Sequence, residues 1–309
     1  MNMASLLPYR WRVKREAGRH NEGIAAILET PPIAPKRDGL VLFSMIGTAV
    51  VLPYLVAVKS LWQQLGRGRV ALLDDGTLTA QDRAILAAHL GDPQILKIDD
   101  VLRGDFPQGG CWERLLTILD HRAGEYWLQL DSDTVTLGAV PELERAIASN
   151  RSFTMMGGSD CPQEPLELAA FARAYYPDGP MDGHVQSRVE SRMADLAANP
   201  GWKYVRGCAG FAGFAAGNAG RDLAGVFLRR MAVVIGGDNT ALWGTEQIAS
   251  NFLIANEGAP VCLPPERYLN YWGEEWDEEA AFIHFVGAHR YDNGAYLAAS
   301  RHAIARLTS

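Results

Sequence analysis

The chain has 309 residues, 48% hydrophobic and 21% charged, with 29 Lys and Arg against 36 Asp and Glu for a net charge of -7. That much apolar surface offsets the ordering entropy of folding and excludes a disordered class, while 31 Gly and 16 Pro without a period exclude collagen-like and low-complexity classes. The acidic balance argues against a dedicated nucleic-acid binder, and the length suits one large α/β domain or two small ones.

Residues 1–30 read as an N-terminal helical extension made locally basic by Arg10, Arg12, Lys14, Arg15 and Arg19. Two readings stand: a solvated face, favoured because the apolar face is weak, or peripheral contact with anionic lipid or an acidic partner. Met1 to His20 holds no apolar signal core, so export is not indicated. Cys111, Cys161, Cys208 and Cys262 form no CxxC pair and read as ordinary thiols of a reducing compartment. The expected location is cytoplasmic, with membrane association through the basic N-terminus left open. Pro31, Pro32 and Pro35 mark a linker.

Leu40 to Val58 carries no charge over nineteen residues, enough to cross a bilayer. Gly47-Thr48 interrupts the run, Pro53 falls near its middle, and its first residues are β-formers. A buried strand, a loop and a helix starting near Pro53 fit better than a span. From there strand and helix alternate. Arg69 to Leu73 is a strand, and a helix follows with Thr79 as N-cap and Asp82 in a capping-box position. Gln94 to Ile98 is a strand, Cys111 to His121 a helix, Tyr126 to Leu130 a strand, and Pro141 opens a helix that stops near Asn150. This β-α alternation implies a mainly parallel, Rossmann-like sheet with helices on both faces, whose ligands bind beyond the carboxyl ends of the strands. Residues 157–202 read as a loop-rich insertion. Gly207, Gly210, Gly213 and Gly217 do not spell a dinucleotide fingerprint, and small residues in a closely approached strand explain them better. Thr245 to Asn256 is a helix and Ala281 to Phe285 a short strand.

Asp131-Ser132-Asp133 ends an apolar strand, where two carboxylates two residues apart can reach one hard cation that clamps a diphosphate. The tripeptide alone is equally an exposed turn. Far downstream His284 follows a short apolar strand, and Arg290 offers a planar fork of donors suited to phosphate. Two carboxylates, an imidazole and a guanidinium are the parts of a metal-diphosphate site.

These segments resemble the retaining glycosyltransferases of family 8, the GT-A-fold group that includes glycogenin and bacterial galactosyltransferases. Asp131-Ser132-Asp133 after Tyr126 to Leu130 resembles the family's strand ending in D-x-D, and Val135 to Leu143 the segment after it. Arg114-Leu115-Leu116 resembles its arginine-leucine helix, Glu246-Gln247 its acidic-Gln-Asp motif, and His284-Phe285-x-Gly287-x-x-Arg290 its H-F-x-G-x-x-K. The resemblance covers residues 40–290 and implies a GT-A-type catalytic domain over residues 38–309 behind an extension and linker over 1–37. It implies a metal-dependent hexosyltransferase using a nucleoside diphosphate sugar, expected to be a UDP-sugar, and a carbohydrate or other hydroxyl acceptor. Asp131, Asp133 and His284 would hold Mn2+ or Mg2+. Thr48, Asp131, Ser132, Asp133, Gly287 and Arg290 would contact the metal-bound donor. Arg114 would bond to the donor sugar or to Asp131, and Glu246 and Gln247 would face the reacting sugar; as an alternative, Glu246 and Gln247 at a helix start serve capping, with Thr245 able to act as the cap.

The sequence departs from the family in three places. Met45-Ile46-Gly47-Thr48 carries no carboxylate at the end of the first strand, Ile248 replaces the family's Asp, and Arg290 replaces its Lys. These changes motivate a second reading, a degenerate transferase that binds nucleotide sugar or a partner without turnover. A third, a sugar-phosphate nucleotidyltransferase, would want a basic Gly-rich loop where Gly47 to Pro53 has no Lys or Arg. Tyr175, Tyr176, His184, Trp202, Tyr271, Trp272 and Trp276 suit sugar stacking, although core packing is favoured.

Overall fold

The uncharged run from Leu40 to Val58 divides as its residues dictate. In the computed structural model, which describes residues 9–196, 199, 201–217 and 220–308, it forms a strand over Leu40–Ile46, a 3-10 turn over Thr48–Val50 and a helix over Val51–Leu65. That helix ends at Gly66 in the left-handed region, which glycine adopts without a Cβ penalty. No described helix is long and apolar enough to cross a membrane. Residues 1–8 of the basic N-terminal segment lie outside the described residues.

In chain order the elements are α1 (Tyr9–Gly23), β1 (Leu40–Ile46), α2 (Val51–Leu65), β2 (Arg69–Asp74), α3 (Ala80–Leu90), β3 (Gln94–Lys97), α4 (Trp112–His121), β4 (Tyr126–Leu130), β5 (Thr134–Thr136), α5 (Pro141–Ala148) and β6 (Phe153–Met156). The second half adds β7 (Leu166–Glu167), α6 (Leu168–Tyr175), α7 (Val185–Glu190), α8 (Met193–Leu196), β8 (Lys203–Tyr204), β9 (Gly207–Phe214), α9 (Arg221–Ile235), α10 (Thr245–Asn256), β10 (Val261–Leu263), β11 (Tyr268–Tyr271), β12 (Phe282–Phe285) and α11 (Ala295–Leu307). The capping box before α3 is present, with Asp82 N donating to Thr79 Oγ1 at 3.1 Å and Thr79 N to Asp82 Oδ2 at 2.9 Å. The stretch read as a loop-rich insertion contains α6, α7 and α8, the last two too short to show a periodic apolar face.

The central sheet has the order β10-β6-β9-β4-β1-β2-β3, parallel except for β9, which runs antiparallel to both neighbours. Alternation along β1 sends Leu40, Leu42 and Ile46 to one core and Val41 and Phe43 to the other, as a strand covered on both faces requires. β9 tolerates close approach because its small residues leave room: a Cβ at Gly213 would collide with the Phe153 ring. A smaller sheet, β11-β12-β5, stands beside the first. Its registers fix the neighbours of His284, which pairs with Thr134 across the antiparallel β12–β5 ladder and with Asn270 across the parallel β11–β12 ladder.

The N-terminal segment packs into this frame. Ile24, Ile27 and Ile33 are buried in the same core as α2 and α11. The His20 ring stacks on Tyr296 with centroids 3.9 Å apart, its Nε2 lies 3.3 Å from Ser300 Oγ, and Arg301 Nε donates to Gly23 O at 3.0 Å. Burial holds the His20 imidazole down to about 4, so it is neutral there. Lys59 of α2 is fully buried and donates to Thr30, and burial pulls its ammonium down to about 8.

Candidate active site

A cavity of about 560 Å³ opens at the carboxyl end of β4, where the rule for parallel sheets places ligands. Asp131, Asp133, His284, Gly287, Arg290, Arg114, Glu246 and Gln247 all line it. Four separate stretches of sequence therefore converge, as the family resemblance implied.

Each group is positioned by an identifiable element. The backbone N–H of Asp131 donates to Gly210 O at 2.8 Å, which ties the end of β4 to β9. Phe285 N donates to Asp133 O at 2.8 Å, extending the β12–β5 ladder and bringing His284 beside Asp133. The His284 ring lies flat against Gly210, where a Cβ would approach Cε1 to 2.5 Å and Nε2 to 2.8 Å, so only glycine leaves the ring its place. His284 Nε2 is 3.3 Å from Asp133 Oδ1. Donor atoms of Asp131, Asp133 and His284 all lie within 4.8 Å of one another. Two carboxylate oxygens and one imidazole nitrogen around one small volume fit a divalent cation such as Mn2+ or Mg2+, with open positions left for other ligands.

Charges around this volume are tightly paired. Arg290 donates to Asp133 Oδ2 through its Nη2 and to Phe285 O through Nε at 3.1 Å. Burial alone would raise Asp133, but His284 and Arg290 outweigh it and hold the carboxyl below the usual range. Burial alone would lower His284, but the Cys208 thiol and Asp133 outweigh it and hold the imidazole well above its ordinary value. Gly287, between them in sequence, sits at φ +47, a conformation suited to glycine.

On the other side, Arg114 of α4 forks between two carboxylates. Nη1 reaches Asp131 Oδ1 at 2.7 Å and Nη2 reaches Glu246 Oε2 at 2.9 Å. Glu246 is 2% exposed, its Oε1 has no protein partner, and burial raises its carboxyl although Arg114 pulls it back. Glu246 stands in the first turn of α10, but Thr245 is not the cap. Gly244 is the N-cap of α10 without a side-chain bond, and Thr245 Oγ1 donates to Thr240 O at 2.6 Å instead. Gln247 accepts from Ala209 N at 3.0 Å and donates to Gln186 Oε1 at 3.2 Å. Gln186 in turn donates to the fully buried Glu190, which also binds Tyr176, Tyr204 and Arg206.

Two expected contacts stand apart from the cavity. Thr48 is exposed in the turn after β1, its N–H donating to Thr77 Oγ1 at 3.0 Å and its hydroxyl to Asp82 at 2.7 Å. Ser132 is held from behind by its carbonyl, which accepts from Tyr296 OH at 3.2 Å. Several lining residues were not visible in the sequence: Cys208 and Gly210 on β9, Arg206, Asn270 on β11 and the exposed Trp243. Of the aromatic residues weighed for sugar stacking, Trp272 and His184 line the cavity, whereas Tyr176 and Tyr271 are buried. The Cys111 thiol at the cavity edge is pushed up to about 11 by burial, which keeps it protonated and unreactive.

The chain matches no protein-family model and no curated protein. Solved structures do match. The galactosyltransferase LgtC, solved in complex with donor and acceptor sugar analogues, is 14% identical, with 87% of this chain and 96% of that one covered at a TM-score of 0.52. An active-site glutamine-to-glutamate variant of LgtC is 14% identical over the same shares at 0.50. The bifunctional glycosyltransferase WbbM is 13% identical, with 89% of this chain but 51% of that one covered at 0.57. At such identities the likeness is one of fold: the chain has the GT-A fold of these glycosyltransferases, a mainly parallel central sheet flanked by helices.

Proposed function

We propose that the protein is a metal-dependent glycosyltransferase that moves a hexose from a nucleoside diphosphate sugar, with UDP the expected carrier, to a hydroxyl of a carbohydrate acceptor, with retention at the reacting carbon. The observation that carries this reading is the convergence of the Asp131, Asp133 and His284 donor atoms beside Arg290 in one cavity of a GT-A fold. LgtC, which shares the fold, was solved with donor and acceptor sugar analogues bound.

Charge arithmetic favours a diphosphate. The cavity lining holds the carboxylates of Asp131, Asp133 and Glu246 against the guanidiniums of Arg114, Arg206 and Arg290. With His284 neutral as a ligand the two sets cancel, so a divalent ion would add the positive charge that a diphosphate diester, with one negative charge per phosphate, requires. Bound there, such an ion supplies Lewis-acid stabilisation of the departing diphosphate. The residues of this chain do the rest. Asp131, Asp133 and His284 hold the cation, and Arg290 turns its fork from Asp133 toward the phosphate oxygens. Gly287 keeps the backbone free of a Cβ where the diphosphate lies. Arg114, locked between Asp131 and Glu246, holds both carboxylates rigid, so that Glu246 and Gln247 face the sugar ring without reorganising. No side chain need act as strong base if the acceptor attacks on the leaving-group face, where a phosphate oxygen takes its proton.

The test incubates the full chain with a panel of nucleoside diphosphate sugars and simple glycoside acceptors in Mn2+, Mg2+ or EDTA, following nucleotide release and product anomers by NMR. Metal-dependent release with a retained anomer is expected. Nucleotide binding without consumption of any donor would instead make the chain a binding module, and release unaffected by EDTA would remove the metal from the reaction.

A further inference from the structure

His284 has two ring nitrogens, and only one of them can face the proposed cation. Nδ1 lies 3.0 Å from Asn270 Oδ1 and 3.3 Å from Cys208 Sγ, while Nε2 lies on the side of Asp133. Which nitrogen keeps its lone pair depends on how the Asn270 amide points. Its nitrogen faces two backbone carbonyls, Met156 O at 3.0 Å and Gly157 O at 3.3 Å. Carbonyl oxygens only accept, so the NH2 group must sit against them and Oδ1 must turn to the ring. An amide oxygen carries no hydrogen, so the contact at Nδ1 exists only if Nδ1 bears a proton. With that proton donated to Asn270, the Cys208 sulfur can only accept at the same position. In the neutral form that a cation requires, the ring then has its lone pair on Nε2.

The arrangement is fixed by the fold. Asn270 and His284 are directly paired residues of the parallel β11–β12 ladder, so their side chains leave the same face. Gly210 closes the far side of the ring, which leaves it no room to turn.

We propose that Asn270 is a positioning residue of the metal centre: it holds the His284 proton on Nδ1 and thereby presents the Nε2 lone pair to the cation shared with Asp131 and Asp133. The proposal rests on the reading of these three residues as cation ligands. An imidazole released from Asn270 can carry its proton on Nε2, and in that form it offers the cation nothing. Loss of such a supporting bond weakens metal affinity by about ten- to a hundredfold.

Two variants separate this role from a purely structural one. Asn270→Ala removes both the acceptor for Nδ1–H and the donor to Met156 and Gly157. Asn270→Asp keeps an acceptor oxygen, removes the donor and adds a negative charge, so it can only strengthen the hold on the Nδ1 proton and on a cation. Mn2+ alone is titrated into the full chain, and free aqua-Mn2+ is counted by electron paramagnetic resonance. Asn270→Ala should bind about ten- to a hundredfold more weakly, and Asn270→Asp should lose no more than about threefold. Equal loss in both variants would show that Asn270 only anchors the end of β6, and wild-type affinity in Asn270→Ala would show that it does nothing for the ion. Nitrogen-15 NMR of histidine-labelled wild-type protein with Mg2+ gives an independent reading that needs no variant to fold. At saturating Mg2+ a neutral His284 ring with its proton on Nδ1 is expected; a neutral ring with its proton on Nε2 overturns the proposal, and an imidazolium, which offers no lone pair, removes the metal reading along with it. A wild type that takes up no Mn2+ removes the metal reading along with this one, whereas metal uptake that is indifferent to Asn270→Ala removes this one alone.

Discussion

Replacing Arg114 by Met tests the buried charge network most directly. The substitution keeps much of the apolar stem but deletes the fork that holds Glu246, which is 2% exposed and already has one oxygen without a protein partner. Breaking a buried pair from one side costs about 3–5 kcal/mol. Asp131, nearly a third exposed, keeps water and adds little. At about 3 kcal/mol per molar for a chain of this size, the urea midpoint should fall by about 1 M near neutral pH. The loss should depend on pH in a defined direction. Burial raises Glu246 above its ordinary 4.5, and Arg114 opposes that rise. Without Arg114 the folded value climbs further, so the native state binds more protons than the unfolded chain between 4.5 and that higher value. Stability in the variant is therefore fullest below 4.5 and drains away as pH rises through the folded value. Urea titrations of both proteins from about pH 4.5 to 8 should show the gap between them widening with pH. Adding Glu246→Gln to the variant removes the stranded charge and should recover most of the loss. A gap that is constant in pH, or a double variant no more stable than Arg114→Met, would refute the reasoning.

Other perturbations probe the same geometry. Gly210→Ala forces a methyl to within 2.5 Å of the His284 ring, so Mn2+ affinity should drop at least about tenfold while the melting temperature shifts modestly. Arg290→Ala should weaken a nucleoside diphosphate about ten- to a hundredfold by calorimetry and leave the nucleoside unchanged; equal losses would show that the guanidinium does not read phosphate. Gln247→Ala should lower turnover while nucleoside diphosphate affinity stays within about twofold, because a contact made in the transition state does not report on ground-state binding. A parallel fall in thermal stability, with turnover per folded molecule unchanged, would assign Gln247 to holding Ala209 and Gln186 instead.

Much of the frame was legible because it rests on local signals. The strand-helix alternation, the Thr79–Asp82 cap and the breaks at Gly47 and Pro53 are written in neighbouring residues, and the structure obeys them. Asp131, Asp133, His284 and Arg290 could be singled out by residue type and motif, and the structure brings them to one cavity. What could not be read is what depends on register. Asn270 looks like an unremarkable polar residue in a short strand until the β11–β12 pairing sets it opposite His284. Gly210 looks like one of several glycines until the ring it faces is known. Burial of Glu246 was equally hidden, because a carboxylate in a helix's first turn is ordinarily a solvated partner of the dipole. Here the residue that neutralises it lies 132 positions earlier.

The contact between α1 and α11 has a consequence for the order in which the protein is made. His20 finds its stacking partner at Tyr296 and its polar partner at Ser300, and the carbonyl of Gly23 is capped by Arg301. Synthesis delivers the first of these residues long before the last. A ribosome elongating at about 5–20 residues per second leaves the opening segment without its seat for at least about 14 seconds. Tyr296 also holds the Ser132 carbonyl between the two aspartates. The turn that carries Asp131 and Asp133 therefore gains its rear support only when α11 emerges, and α1 docks on that same residue. Support of that turn and seating of α1 are in this way one event, timed by translation of α11, Ala295–Leu307.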